Sequence, residues 1–178
     1  HKADGTLKSL CFGNRRFVAC GSFMKSILLS CDGASWREVP APGQRDLAAT
    51  AFVGRGFVGW ATHRGAYGSW DGVAWEALEV PDSPIHFSHV AVGPERAVAM
   101  GMGATVLHSR DGRAWSALRE GVCAYSLGVG WVEDRFVAVN RDGMVFCSYD
   151  GLNWGKARLD LKGLGLRRVR CVNGEFFG

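Results

Sequence analysis

Ser30-Cys31-Asp32-Gly33-Ala34-Ser35-Trp36 is the first of four segments that align without a gap. The others are Ser69-Trp70-Asp71-Gly72-Val73-Ala74-Trp75, Ser109-Arg110-Asp111-Gly112-Arg113-Ala114-Trp115 and Ser148-Tyr149-Asp150-Gly151-Leu152-Asn153-Trp154. Their serines stand 39, 40 and 39 residues apart. A second landmark keeps the same step: Phe17, Phe57, Ala97, Phe136 and Phe176, spaced 40, 40, 39 and 40. Two landmarks sharing one period along the chain mark an internal repeat.

Outward from the motif, every repeat reads alike. An apolar run such as SLCFG or HVAVG precedes a turn such as GNRR or GPER, and a second apolar run, FVACG or FVAVN, follows. A third run ends at the serine, and the Asp-Gly turn opens a fourth at the Trp. Short apolar runs, regular turn signals and no helical periodicity of ten or more residues predict an all-β fold. A period near 40 fits one four-stranded blade. The expectation is a β-propeller of four-stranded antiparallel blades in a single domain. Four repeats would span 6–43, 44–83, 84–123 and 124–163, with a partial fifth over 164–178. An unclosed ring leaves strand edges unpaired. The repeat count therefore points to a longer propeller of about six to eight blades, or to closure by self-association.

The motif resembles the Asp-box (BNR) repeat of sialidase-like propellers, whose usual pattern is Ser/Thr-x-Asp-x-Gly-x-x-Trp/Phe. Here Gly directly follows Asp, a contraction of one residue. The resemblance covers the whole chain and implies the propeller fold. It also implies a turn on the outer rim, away from a central pocket. Assembly-factor propellers of photosynthetic organisms carry similar repeats.

The local chemistry of the motif is that of a turn. Gly33, Gly72, Gly112 and Gly151 can accept φ > 0. Asp32, Asp71, Asp111 and Asp150 can accept backbone N–H groups a few residues on. Ser30, Ser69, Ser109 and Ser148 are expected to bond across the hairpin. Trp36, Trp75, Trp115 and Trp154 are expected to wedge between blades, where a large ring buries much area. Four copies around a ring cannot all face one catalytic centre, so these residues are assigned to structure.

Catalytic, metal and cofactor sites are not expected. A sialidase-like hydrolase needs an arginine triad, a Tyr/Glu pair and an acid. The tyrosines are Tyr67, Tyr125 and Tyr149 only, with no paired carboxylates for glycoside hydrolysis. His86 and His89, three apart on an expected strand, fall on opposite faces. The six cysteines (Cys11, Cys20, Cys31, Cys123, Cys147 and Cys171) lack CxxC or zinc spacing. Most replace ordinary blade residues, which reads as free buried thiols and leans towards a reducing compartment. The family resemblance leans the other way, towards export.

Lys+Arg exceed Asp+Glu by 21 − 17 = 4, too mild and too dispersed for a nucleic-acid partner. No apolar run approaches the ~20 residues of a membrane span. The inter-repeat loops differ in sequence while the scaffold repeats, which is how a binding face is built. Lys25, Arg45, His63, Arg64, Arg119, Arg141, Arg167 and Arg168 give that face a cationic bias, suited to an acidic protein surface or an anionic glycan. The resulting functional expectation is a non-catalytic scaffold that binds a protein partner within a larger assembly. The alternative is a carbohydrate-binding or glycoside-hydrolase-type propeller whose catalytic residues lie outside this chain.

Overall fold

The computed structural model describes residues 5–62, 65–81, 86–118, 122–160, 170–172 and 175–177. The first sheet comprises β1 (Thr6–Gly13), β2 (Arg16–Ser22), β3 (Ser26–Ser30) and β4 (Arg37–Pro40). The second comprises β5 (Leu47–Val53), β6 (Gly56–Ala61), β7 (Ala66–Ser69) and β8 (Glu76–Leu78). The third comprises β9 (Phe87–Val92), β10 (Ala97–Gly101), β11 (Val106–Ser109) and β12 (Ser116–Leu118). The fourth comprises β13 (Ser126–Val132), β14 (Arg135–Asn140), β15 (Met144–Ser148) and β16 (Gly155–Asp160). A fifth, two-stranded sheet pairs β17 (Arg170–Val172) with β18 (Glu175–Phe177). Each four-stranded sheet is a meander in chain order, its strands hydrogen-bonded to their chain neighbours. Among the described residues the helical content is one 3-10 turn at Pro42–Gln44.

The two sequence landmarks are opposite ends of a single rung. Phe17 pairs with Ser30, Phe57 with Ser69, Ala97 with Ser109 and Phe136 with Ser148. Register in a buried sheet is tightly set, because a slip of one residue reverses every side chain. That constraint keeps both landmarks on one period. A further feature is also repeat-locked. The first strand skips one residue of register between Leu7 and Ser9, between Leu47 and Ala49, and between Ser126 and Gly128. An extra residue at that point bends the strand and increases its twist.

Burial falls from the second strand to the fourth. From Val18 to Ser22, β2 is buried throughout, as a strand covered on both faces must be, whereas β4 buries only Val39. The position held by Cys20, Trp60, Met100 and Val139 is sealed in all four sheets, at 1–3% exposure.

The chain forms two compact units. The first spans 1–87 together with the turn at 110–115. Its core joins Val18, Ile27 and Leu29 of the first sheet to Leu47 and Phe57 of the second, with Trp75 packed against them. Trp115 lies 4.9 Å from Trp60, edge to face. The second unit spans 88–109 and 116–178. Its core joins Val98 and Met100 to Val129, Phe136 and Ala138, with Trp154 against them. Trp115 thus packs on a neighbouring sheet, whereas Trp75 lies against Gly59 and Trp154 against Phe136, each in its own sheet, while both also border cores that two sheets share. Trp36 differs from the wedge expectation: it covers Ala19, Met24 and Leu28 of its own sheet.

The motif glycines adopt φ between 71° and 78°, but their surroundings differ. A Cβ on Gly151 would lie 2.9 Å from both Arg96 Cδ and Val98 Cγ1, whereas one on Gly33 would meet only Phe17, at 3.5 Å or more. Gly33→Ala is therefore expected to cost about 1–2 kcal/mol from backbone strain alone. Gly151→Ala adds overpacking of about 1–3 kcal/mol. Chemical denaturation of the two variants checks the order, and equal losses would contradict it.

Candidate binding face

The motif turns are built around a buried hydroxyl. Ser30, Ser69 and Ser148 are 1–5% exposed, and a buried hydroxyl needs partners. Each Oγ accepts the glycine N–H three residues on, at 2.8 Å, and donates to the aspartate Oδ1 two residues on, at 2.9–3.2 Å. These bonds stay inside the turn and do not cross the hairpin as expected from sequence, because the chain folds back over the hydroxyl before the fourth strand begins. The aspartate Oδ1 then accepts the next two backbone N–H groups: Ala34 and Ser35, Val73 and Ala74, Arg113 and Ala114, Leu152 and Asn153. A link not anticipated from sequence closes the turn. Each tryptophan Nε1 donates to the glycine carbonyl three residues back, at 3.0–3.2 Å.

These bonds fix the charge state. The Ser35 and Ala34 N–H groups and the Ser30 hydroxyl hold the Asp32 carboxyl at about 2. Asp71 is lowered by the Val73 and Ala74 N–H groups. For Asp150, burial pushes upward, but the Asn153 and Leu152 N–H groups outweigh it and hold the carboxyl well below the usual range.

Arginines reinforce the turns. In the first unit Arg16 Nη1 donates to the Asp71 carbonyl at 2.7 Å, and Asn14 Nδ2 donates to the Trp70 carbonyl at 2.9 Å. Arg113 stacks over the Trp70 ring, 4.4 Å from its centroid, and pairs with Glu76. In the second unit Arg135 stacks on Tyr149 at 4.5 Å. Arg96, only 8% exposed, contacts His108 Nδ1 at 3.3 Å. Desolvation, then the Arg96 charge, lowers the His108 pKa.

At the opposite end of the sheets lie the loops singled out as a binding face. Lys25, in the β2–β3 turn, and Arg45, after the 3-10 turn, are both exposed. Ala41 N–H donates to the Lys25 carbonyl at 3.0 Å, so the structure brings these two segments together. Between them Asp46 acts as a clasp: its Oδ2 accepts the Phe23 N–H at 2.6 Å, and its carbonyl accepts the Thr62 N–H at 3.0 Å. Arg141 is exposed in the β14–β15 turn of the second unit. His63, Arg64, Arg119, Arg167 and Arg168 lie outside the described residues.

Cys11, Cys20, Cys31, Cys123 and Cys147 are free thiols. Burial pushes Cys11 and Cys123 up to about 11 and Cys20 higher still. Cys31 departs from the expectation of burial and stands exposed in its turn. Among the described residues no group of three or more His, Cys, Asp or Glu side chains could hold a metal ion. Nor is any described helix long and apolar enough to cross a membrane.

Two titrations follow. The folded pKa of His108 lies below its unfolded value of about 6.5, so the unfolded chain binds the proton first as pH falls. Stability should therefore decline below about pH 6.5, and His108→Gln should flatten that limb in urea melts. The aspartate contribution is present above about pH 4 and drains towards pH 2. Asp150→Ala strands two N–H groups and should cost about 1–2 kcal/mol, or about 2–8 °C in Tm by calorimetry.

No family model matches the chain, and no curated protein matches it. Solved structures do. One is YCF48 from Cyanidioschyzon merolae, 16% identical with a TM-score of 0.70, over 95% of this chain and 60% of that one. Another is YCF48 bound to D1 peptide, 20% identical with a TM-score of 0.63, over 93% and 56%. A third is a catalytically inactive virginiamycin B lyase from Staphylococcus aureus with quinupristin, 8% identical with a TM-score of 0.77, over 94% and 60%. The chain thus spans 56–60% of the length of these three structures. At such identities the likeness is one of fold: the four-stranded sheets are β-propeller blades.

Proposed function

We propose that this chain is a non-catalytic, protein-binding scaffold made of Asp-box (BNR) blades, acting within a larger assembly. Its repeats are read as parts of one propeller domain. The observation that carries the reading is the first unit's loop end. There Lys25, Arg45 and Phe23 are all exposed while the backbone beneath them is pinned by Asp46. An aromatic ring beside cationic chains on a rigid base suits a protein surface with acidic character. His63 and Arg64 are proposed as further binding residues of the first unit, and Arg119, Arg141, Arg167 and Arg168 as binding residues of the second. The YCF48 structure with a D1 peptide lends support by analogy of fold.

The repeated aspartates support the same reading. A cleft of about 330 Å³ runs beside Asp32 and Trp36, but Asp32 is its one carboxylate and is committed to its turn. The carbohydrate reading calls for open aromatic platforms. The exposed motif aromatics Trp70 and Tyr149 each already carry a guanidinium on the ring.

Affinity capture on the chain from its native extract, with identification by mass spectrometry, is expected to return a stoichiometric protein. Free anionic sugar should not displace it. Joint replacement Lys25→Glu and Arg45→Glu should lower its affinity about tenfold, equivalent to ~1.4 kcal/mol. Release by sugar would transfer the assignment to the carbohydrate reading.

A further inference from the structure

We propose that Phe23 is an anchor residue for a protein partner, receiving an apolar side chain from an extended segment whose next residue is acidic. Tyr125 is a second anchor of the same kind on the other unit. The inference rests on the protein-binding reading and adds the residues and the partner chemistry.

Phe23 has φ 60° and Tyr125 φ 55°. In this left-handed region Cβ crowds the following carbonyl oxygen, and a bulky residue there is an outlier. Both rings also face water: Phe23 is 82% exposed and Tyr125 is 53% exposed. Backbone strain and an apolar ring in solvent are each unfavourable, and rings this exposed gain little from packing in return. Strained positions persist where the surroundings hold them, and they gather at ligand clamps.

The holding contacts are explicit. The Phe23 N–H is fixed by Asp46 Oδ2, whose own carbonyl is tied to Thr62. The Tyr125 carbonyl accepts the Arg141 N–H at 3.0 Å. In each unit the aromatic stands where a second-to-third-strand turn meets the connection into a first strand. The next residue, Met24, is only 2% exposed and packs with Ala19 and Leu28, which roots the loop.

Charge selects the partner. Lys25 lies two residues beyond Phe23, and Arg45 precedes the Asp46 that accepts the Phe23 N–H; both cations are exposed. The Asp46 carboxylate, which accepts the Phe23 N–H, keeps its negative charge, so Lys25 and Arg45 together leave the surroundings of Phe23 with a net positive charge. An apolar residue on the ring with Asp or Glu beside it satisfies both features. At Tyr125 the charge of Arg141 is countered by the adjacent exposed Asp142, so selection for acid is weaker there.

Panning a random dodecapeptide phage library on the chain, followed by fluorescence anisotropy with the enriched peptides, tests this. The peptides are expected to share an apolar residue next to Asp or Glu. They should lose about tenfold in affinity on Phe23→Gly, an anchor-sized effect. That variant should melt at or above the wild-type temperature, because glycine relaxes the left-handed backbone. A loss of affinity accompanied by a drop in melting temperature would mean Phe23 is structural, overturning the inference. Enriched peptides that bind Phe23→Gly and Tyr125→Gly as tightly as wild type overturn it while leaving the protein-binding reading intact. Peptides with no acidic preference overturn the partner chemistry. No enrichment counts against the anchors, and against the underlying reading as well if affinity capture also fails. A concentration-dependent dimer abolished by Phe23→Gly would assign the ring to a second copy of the chain.

Discussion

A serine hydroxyl sealed from water at the end of the third strand is the constraint on which each repeat depends. Left unbonded, a buried hydroxyl costs several times what it contributes when bonded. Ser30, Ser69 and Ser148 meet that demand within seven residues, by taking the glycine N–H and giving their own proton to the aspartate. The aspartate is thereby held where its Oδ1 collects two further N–H groups, and the glycine carbonyl is left pointing at the indole. Four residue types follow from one oxygen. The same serine faces Phe17, Phe57 or Phe136 across the second strand, so the turn also sets the register of the sheet behind it.

Once formed, the turn serves as an insert for the sheet beside it. In the first unit a Cβ on Gly72 would crowd Leu29 and Val18, and one on Gly112 would crowd Val53 and Val58. In the second unit Gly151 sits against Val98 in the same manner. The absence of a side chain therefore serves two ends, positive φ and close approach. Arginine provides the outer fastening. Arg16, Arg96 and Arg135 occupy corresponding places at or just before the start of the second strand, while the second sheet has Gly56 there. That sheet is fastened from the other direction, by Arg113 lying on Trp70 and meeting Glu76.

Much of this was legible in the sequence because a repeat states its pattern several times. The period, the strand order and the positive φ of the motif glycines all follow from residues whose spacing is fixed by backbone geometry. The direction of the serine bonds did not, since Ser-x-Asp-Gly is compatible with bonds across a hairpin or within a turn. Only the burial of the hydroxyl decides. The packing of Trp36 on its own sheet was hidden for a related reason: identical motif residues meet different neighbours. The candidate binding face was legible only as a set of cations. The segments carrying Lys25 and Arg45 meet because Ala41 bonds back to the Lys25 carbonyl, a contact between loops that no periodicity encodes.

Where the backbone must be left-handed for the fold, this chain places glycine: Gly33, Gly72, Gly112 and Gly151. Where a left-handed residue is not glycine, two groups separate. Asn14, Arg15 and Glu133 occupy the tight turns between first and second strands, and polar turns tolerate such residues. Phe23, Gln44 and Tyr125 lie at the other end, where the repeat pattern is lost and the loops diverge. Glycine was available there on the same terms, and it would remove the strain without exposing an apolar ring. Retaining aromatic rings at two such positions is difficult to explain through stability, because both backbone and solvation oppose it. The proposed anchor role would account for it, with the sheets supplying the rigidity and the divergent loop ends supplying the contact.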